Sequence, residues 1–258
     1  MKIGCCVGID FERAKIAKDL GYDFVESNCS SIVNAPFEDI EKLKAVGIPV
    51  FSANCFIPLR IIGDEKDETA VKEYLAELFR RADYLGMKII VFGSSGARKA
   101  KDGQDKDFCR NEIIKFLKND VAPLCEKYNI KIAIEPLRPQ ECNVINTVPQ
   151  AMEIADRVNS PYIRSLADVR HMVCQDDSLE ALAGYGDRII HAHTSNPYPE
   201  IEGYEDRRVY PKDGDKFDQD LFIRPLIAAG VGQCAVEADV IDFPVDAENA
   251  IKVLKKYQ

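Results

Sequence analysis

Residues 131–135 read Lys131-Ile132-Ala133-Ile134-Glu135, and residues 233–237 read Gln233-Cys234-Ala235-Val236-Glu237. In an extended strand successive side chains point to opposite faces. Ile132 and Ile134 therefore share one face, as do Cys234 and Val236, while Glu135 and Glu237 fall on the other. Apolar residues outward and a carboxylate at the last inward position suit a parallel barrel strand, packed on helices outside and ending at the barrel mouth. Ile189-Ile190-His191-Ala192-His193 places both histidines on one face, and Leu166 and Asp168 share the inward face of the run ending at Asp168.

Outward from these runs the same unit repeats. Strand candidates are Ile3–Val7, Asp23–Glu26, Pro49–Ala53, Ile89–Gly93, Lys131–Glu135, Ile163–Asp168, Ile189–Thr194 and Gln233–Ala238. Amphipathic stretches near 10–20, 36–46, 67–86, 107–128, 148–158, 177–184, 218–229 and 246–257 separate them. In the third, Val71, Tyr74, Leu75, Leu78, Phe79 and Ala82 recur at helical spacing, Asp67 and Glu68 open it and Gly86 closes it. Eight strand–helix units in 258 residues predict an α/β fold, a (β/α)8 TIM barrel. A doubly wound sheet would want a nucleotide-binding glycine loop. Gly93-Ser94-Ser95-Gly96-Ala97-Arg98-Lys99 lacks the required spacing. It is either a solvated turn or an active-site loop from which Arg98 reaches a substrate anion. No Pro/Gly/Ser linker divides the chain, so residues 1–258 are expected to form one domain.

Composition narrows the function. Apolar residues make up 46 % of the chain and charged ones 30 %, which suits a well-filled core. Forty-three acids against 34 bases give a net charge of −9, which disfavours nucleic acid and anionic membrane surfaces as partners. No run is long and apolar enough for a signal peptide or membrane span. The nine cysteines are scattered, with no CxxC pair. They read as reduced thiols of a cytoplasmic protein.

Four consecutive strands thus end in metal-competent groups: Glu135, Asp168, His193 and Glu237. A single strand-end carboxylate is usually a cap or an ion-pair partner. Three converging without a cation would repel one another and raise their pKa values. All three histidines of the chain, His171, His191 and His193, also lie in this region. Three hard carboxylates with one imidazole suit Mn²⁺, Mg²⁺ or Co²⁺, and Zn²⁺ is compatible.

The pieces Ile134-Glu135-Pro136-Leu137, Ala167-Asp168-Val169-Arg170-His171-Met172, His191-Ala192-His193 and Val236-Glu237 resemble the xylose isomerase-like sugar isomerase/epimerase superfamily. The likeness is greatest to its D-tagatose 3-epimerase, D-psicose epimerase and hydroxypyruvate isomerase branch. It implies Glu135, Asp168, His193 and Glu237 as ligands of one divalent metal. It also implies substrate contacts from His171, Glu141 and Arg207, and a homo-oligomeric assembly. Asn196 to Glu205 makes a longer loop than the family pattern, and Asp213 in Lys212-Asp213-Gly214-Asp215 stands where glycine is usual. The expected chemistry is metal-dependent isomerisation or epimerisation of a small sugar-like substrate. A hydroxyl α to a carbonyl chelates the cation, an enediolate forms, and Glu135 and Glu237 act as the acid–base pair.

An inosose-dehydratase-like lyase and a non-catalytic sugar-binding barrel are the alternatives. An endonuclease IV-like repair enzyme would need more histidines and a basic face. Glu26 and Asn54, at the ends of the second and third strands, either line the pocket or hydrogen-bond locally. Phe56, Ile57 and Tyr198 either wall the pocket or pack loops. His191 is expected behind the ligands rather than among them.

Overall fold

The computed structural model describes residues 1–258. Its strands are β1 (Lys2–Cys6), β2 (Phe24–Asn28), β3 (Val50–Asn54), β4 (Ile89–Phe92), β5 (Lys131–Ile134), β6 (Ile163–Asp168), β7 (Ile189–Thr194) and β8 (Gln233–Val236). All are parallel and close in sequence order into an eight-stranded barrel, as the alternation predicts. Ile3 faces Cys234 and Gly4 faces Ala235 where β8 meets β1, so the sheet has no free edge.

Helices cover the outside. Phe11–Leu20 begins at Asp10, whose side chain accepts from the Arg13 N–H at 2.9 Å, and ends at Gly21 in the left-handed region at φ +89°. Glu68–Leu85 buries the predicted stripe, Val71 through Ala82, together with Leu85. Residues 106–128 run as one helical stretch with a wider turn at Leu117–Val121. Pro123, which has no N–H for the carbonyl four residues back, accompanies that turn. The helix expected at 177–184 is instead a pair of 3₁₀ turns, Glu180–Gly184 and Gly186–Arg188. Gly184 and Gly186 interrupt the segment, and Gly186 takes φ +59°.

Two apolar layers result. One large cluster fills the space between strands and helices, and includes Ile132, Ile134, Cys234 and Val236. A small one, Ile89, Val91, Ala133 and Leu166, with Phe51 and Ile190 against it, fills the barrel itself. Phe24 completes this plug, 5.3 Å from Phe51 between ring centres. It does so only because β1 carries Gly4, where any Cβ would overlap the Phe24 ring. The interior of the barrel is thus packed with apolar side chains below its C-terminal mouth.

Short helices follow β2, β4 and β6 at that mouth: Cys29–Asn34, Ser95–Arg98 and Val169–Val173. No helix is long and apolar enough to cross a membrane, and all nine cysteines are free thiols.

Candidate metal centre

The four predicted ligands converge. One ligand atom from each of Glu135, Asp168, His193 and Glu237 lies within 4.8 Å of the others. Nδ1 of His193 stands 2.9 Å from Glu237 Oε2, 3.2 Å from Glu135 Oε1 and 3.7 Å from Asp168 Oδ2. Nδ1 is therefore the nitrogen turned to the cluster.

The other ring nitrogen, Nε2, meets Oε1 of Glu26 at 2.9 Å. Glu26 is fully buried in the barrel, and its second oxygen accepts from Ser52 Oγ at 2.5 Å and from His191 Nε2 at 2.8 Å. Burial alone would raise the Glu26 carboxyl. The His193 charge and hydrogen bonds from both histidines outweigh it and hold the group well below the usual carboxylate range. Glu26 thus fixes both the tautomer and the ring plane of His193. His191 shares Glu26 with His193; burial lowers its pKa and Glu26 only partly compensates.

The two outer carboxylates differ. Burial, with Glu237 adding to it, raises the Glu135 pKa, though His193 partly offsets the shift. Burial would do the same to Glu237, but Arg208 and His193 hold it well below its ordinary value. Nη2 of Arg208 stands 2.8 Å from Glu237 Oε2, and its Nη1 donates to Asp168 Oδ2 at 2.6 Å. Asn54 Nδ2 donates to Glu237 Oε1 at 2.8 Å, which gives that residue a definite place at the site. His193, pressed down by burial but raised more by Glu26 and Glu237, sits well above an ordinary imidazole and carries a proton among these anions.

This donor set fits a divalent cation. Glu237 Oε2 is buried and, despite cationic nitrogens at 2.8 and 2.9 Å, makes no hydrogen bond of acceptable geometry. An oxygen near positive charge but not bonded to it is what a ligand awaiting an ion looks like.

Backbone contacts help to position Asp168 and Glu135. Asp168 Oδ1 accepts from the His171 N–H at 3.0 Å, capping the short helix after β6. The Glu135 carbonyl accepts from Arg98, whose guanidinium is fully buried and lies 4.9 Å above the Phe92 ring. Arg98 is therefore neither a solvated turn residue nor free to reach a substrate. Gly93 lies directly under the Glu135 carboxylate, and a Cβ there would overlap Oε2. Gly93→Ala is accordingly expected to push Glu135 out of the cluster and weaken Mn²⁺ affinity by roughly 10- to 100-fold. Mn²⁺ titration alongside circular dichroism checks this; unchanged affinity in a folded variant would show that Glu135 has room to spare.

The substrate residues implied by the resemblance divide. His171 is buried beside Asp168, and its Nδ1 accepts from the Arg138 N–H at 3.2 Å, which leaves the ring proton on Nε2. Glu141 accepts from Arg138 Nε at 2.7 Å. Both line a cavity of about 250 Å³ together with Arg138, Arg170, Asp206 and Arg208. Arg207 and Asp239 line the same cavity; Arg207 is 52 % exposed and pairs with Asp239 rather than with the cluster. The structure brings Arg208 to the ligands instead. Val209 bridges Asn196 on one side and Asp239 on the other, so the chain there is extended and adjacent side chains diverge. In Lys212-Asp213-Gly214-Asp215 only Gly214 has positive φ, so Asp213 in place of glycine costs nothing. Phe56 and Ile57 are buried packing residues, and Tyr198 is half-exposed beside Phe217.

Larger hollows of about 510 Å³ open at the opposite end of the barrel, around Arg164 and Asp187. They hold no converging ligand set, and barrel chemistry belongs at the C-terminal mouth.

Sequence reasoning missed Arg208, Arg138, Arg170 and Gly93, and left Glu26 undecided. For Glu26 a signal existed, since a carboxylate in the apolar run Phe24-Val25-Glu26 shares its parity with the barrel interior.

The chain matches the xylose isomerase-like TIM barrel family over residues 14–257. No curated protein matches it by sequence. Among solved structures it is similar to D-psicose 3-epimerase from Clostridium cellulolyticum H10 with D-tagatose, at TM-score 0.81 and 18 % identity over 99 % of both chains. It is also similar to E. coli 3-keto-D-glucoside 4-epimerase, at 0.80 and 20 % over 99 % of both. The IolI protein with a bound zinc atom gives 0.73 and 20 % over 100 % of this chain and 99 % of that one. At such identities the likeness is one of fold. With its closed barrel, its ligand cluster at the mouth and a family match over nearly its whole length, this chain belongs to the xylose isomerase-like TIM barrel family.

Proposed function

We propose that this protein is a divalent-metal-dependent isomerase or epimerase that moves a carbon-bound proton of a sugar-like hydroxy-carbonyl substrate through an enediolate. The observation that carries this reading is the pair Glu135 and Glu237, two cluster carboxylates flanking His193 with opposed environments. Epimerases acting on D-psicose and on a 3-keto-D-glucoside, and a zinc-binding relative, share the fold and support it.

Glu135, Asp168, His193 and Glu237 would hold the cation, with Mn²⁺, Mg²⁺ or Co²⁺ suiting three carboxylates and one imidazole and Zn²⁺ also compatible. A cation bound there would polarise a carbonyl and would stabilise the negative charge left when the adjacent carbon loses its proton. The chain's own groups do the rest. Glu237, kept ionised beside Arg208, takes the proton. Glu135, whose pKa is shifted upward from its ordinary value by burial, returns one. Return on the opposite face inverts the carbon, and return to the neighbouring carbon isomerises the sugar. His171, with its proton on Nε2, is placed to donate to a substrate oxygen beside Asp168.

The test is incubation with a panel of ketoses, inososes and hydroxypyruvate in D₂O with Mn²⁺. Deuterium is expected at one α carbon of one compound, found by NMR. Loss of water without exchange into recovered substrate would instead establish the lyase. Binding with no exchange and no product, by metal-loaded protein, would establish a non-catalytic barrel.

A further inference from the structure

The cavity over the metal cluster contains an arrangement that sugar hydroxyls do not require. Arg138 and Arg170 converge on a single carboxylate oxygen, Oδ1 of Asp206, at 2.6 and 2.9 Å. The two guanidinium side chains are only 15 % and 8 % exposed, whereas that of Asp206 is 82 % exposed. Two nearly desolvated cations thus rely on a carboxylate that remains in water.

Their other partners do not replace it. Arg138 also holds Glu141, and Arg170 otherwise donates only to the Pro197 carbonyl at 2.9 Å. Without Asp206, two cations face one carboxylate, and Arg170 has no anionic partner. A desolvated guanidinium is costly to leave unpaired, while an exposed carboxylate loses little on returning to water. Asp206 follows the long loop from Asn196, and no helix or strand anchors it.

We infer that Arg138 and Arg170 form a subsite for an anionic group of the substrate, a carboxylate or a phosphate, and that Asp206 occupies it as an internal stand-in until substrate displaces it. The planar forks of two arginines match the oxygens of such groups. The subsite shares its cavity with Arg208 and His171, both of which contact the ligand Asp168, so a substrate bound at the cluster extends into it. This inference rests on the proposed reaction for its substrate, but its first test does not.

That test titrates full-length protein in Mg²⁺ with inorganic phosphate and, separately, with acetate, and compares wild type, Asp206→Ala and Arg138→Gln by calorimetry. Asp206→Ala removes an exposed side chain and is expected to tighten one of the anions about tenfold, while Arg138→Gln weakens it at least as much. Whichever anion tightens identifies phosphate or carboxylate as the natural group. A purely structural ion pair predicts no tightening on loss of Asp206. Equal affinities in all three proteins, or no measurable binding in any, would overturn the subsite.

The second arm measures KM for ketose phosphates, keto sugar acids and neutral ketoses. Asp206→Ala should lower KM for an anionic substrate relative to that for neutral ones. Turnover of neutral ketoses alone would overturn the inference and leave the epimerase reading intact. A panel with no turnover at all would sink that reading, and the anion titrations would still decide the subsite.

Discussion

Glu135→Gln and Glu237→Gln are each expected to lower kcat by about three orders of magnitude, within the range attributed to general acid–base catalysis, while the protein stays folded. Glutamine keeps a ligand oxygen but cannot carry the proton, so metal content should fall far less than turnover. The two variants should also differ from each other. If the reaction is an epimerisation with one carboxylate on each face, each variant still exchanges the α proton of one epimer with D₂O and no longer exchanges that of the other. Interconversion is lost in both. Metal content, kcat and epimer-resolved exchange by NMR are the three readouts. Retention of more than a tenth of wild-type kcat by both metal-loaded variants would remove the pair from the mechanism.

The second large effect is at Glu26, which is fully buried behind His193. It is the partner that fixes His193 through Nε2 and leaves Nδ1 for the cation. Glu26→Gln removes a fully buried charge from between two histidines. Breaking a buried pair from one side costs about 3–5 kcal/mol. In a chain of this size that corresponds to a Tm loss of roughly 10 °C. Mn²⁺ affinity should fall about 10- to 100-fold, as for other carboxylates behind metal-binding histidines.

The same geometry sets the pH dependence. The His193 pKa is raised in the metal-free protein, so its pairing stabilises the fold fully below the unfolded imidazole value. That contribution is lost as pH climbs through the raised one. Cation binding at Nδ1 must expel the proton, so wild-type Mn²⁺ affinity should increase with pH over that interval. Calorimetry in buffers of different ionisation enthalpy should detect at least one proton released per ion. In Glu26→Gln the imidazole is easier to deprotonate, and the pH dependence should shift downward. A variant that keeps wild-type stability, affinity and proton release would show that Glu26 does not orient the histidine.

How legible the site was depended on where each residue sits. Strand parity placed Glu135, Asp168, His193 and Glu237 because hydrogen-bonded pairing repeats every two residues and carries orientation along a strand. The 177–184 segment failed as a helix because its apolar spacing ends at two glycines. Arg207 and Arg208 could not be told apart in sequence. A ten-residue loop without period precedes them, and only the bridges of Val209 to Asn196 and Asp239 decide which one reaches Asp168 and Glu237.

By itself, then, the sequence determined the barrel, the end of it that carries chemistry and the four metal-competent side chains, since all follow from local periodicity. Tertiary structure alone decided what those side chains answer to. Glu26 and His193 are 167 residues apart on β2 and β7, strands that are not neighbours, and they meet because the closed barrel turns both into one interior. Gly93 matters through the volume Glu135 needs above it, and Arg138 meets Asp206 across 68 residues through the path of a loop. Such contacts depend on barrel closure and loop trajectory, quantities that no local pattern of residues encodes.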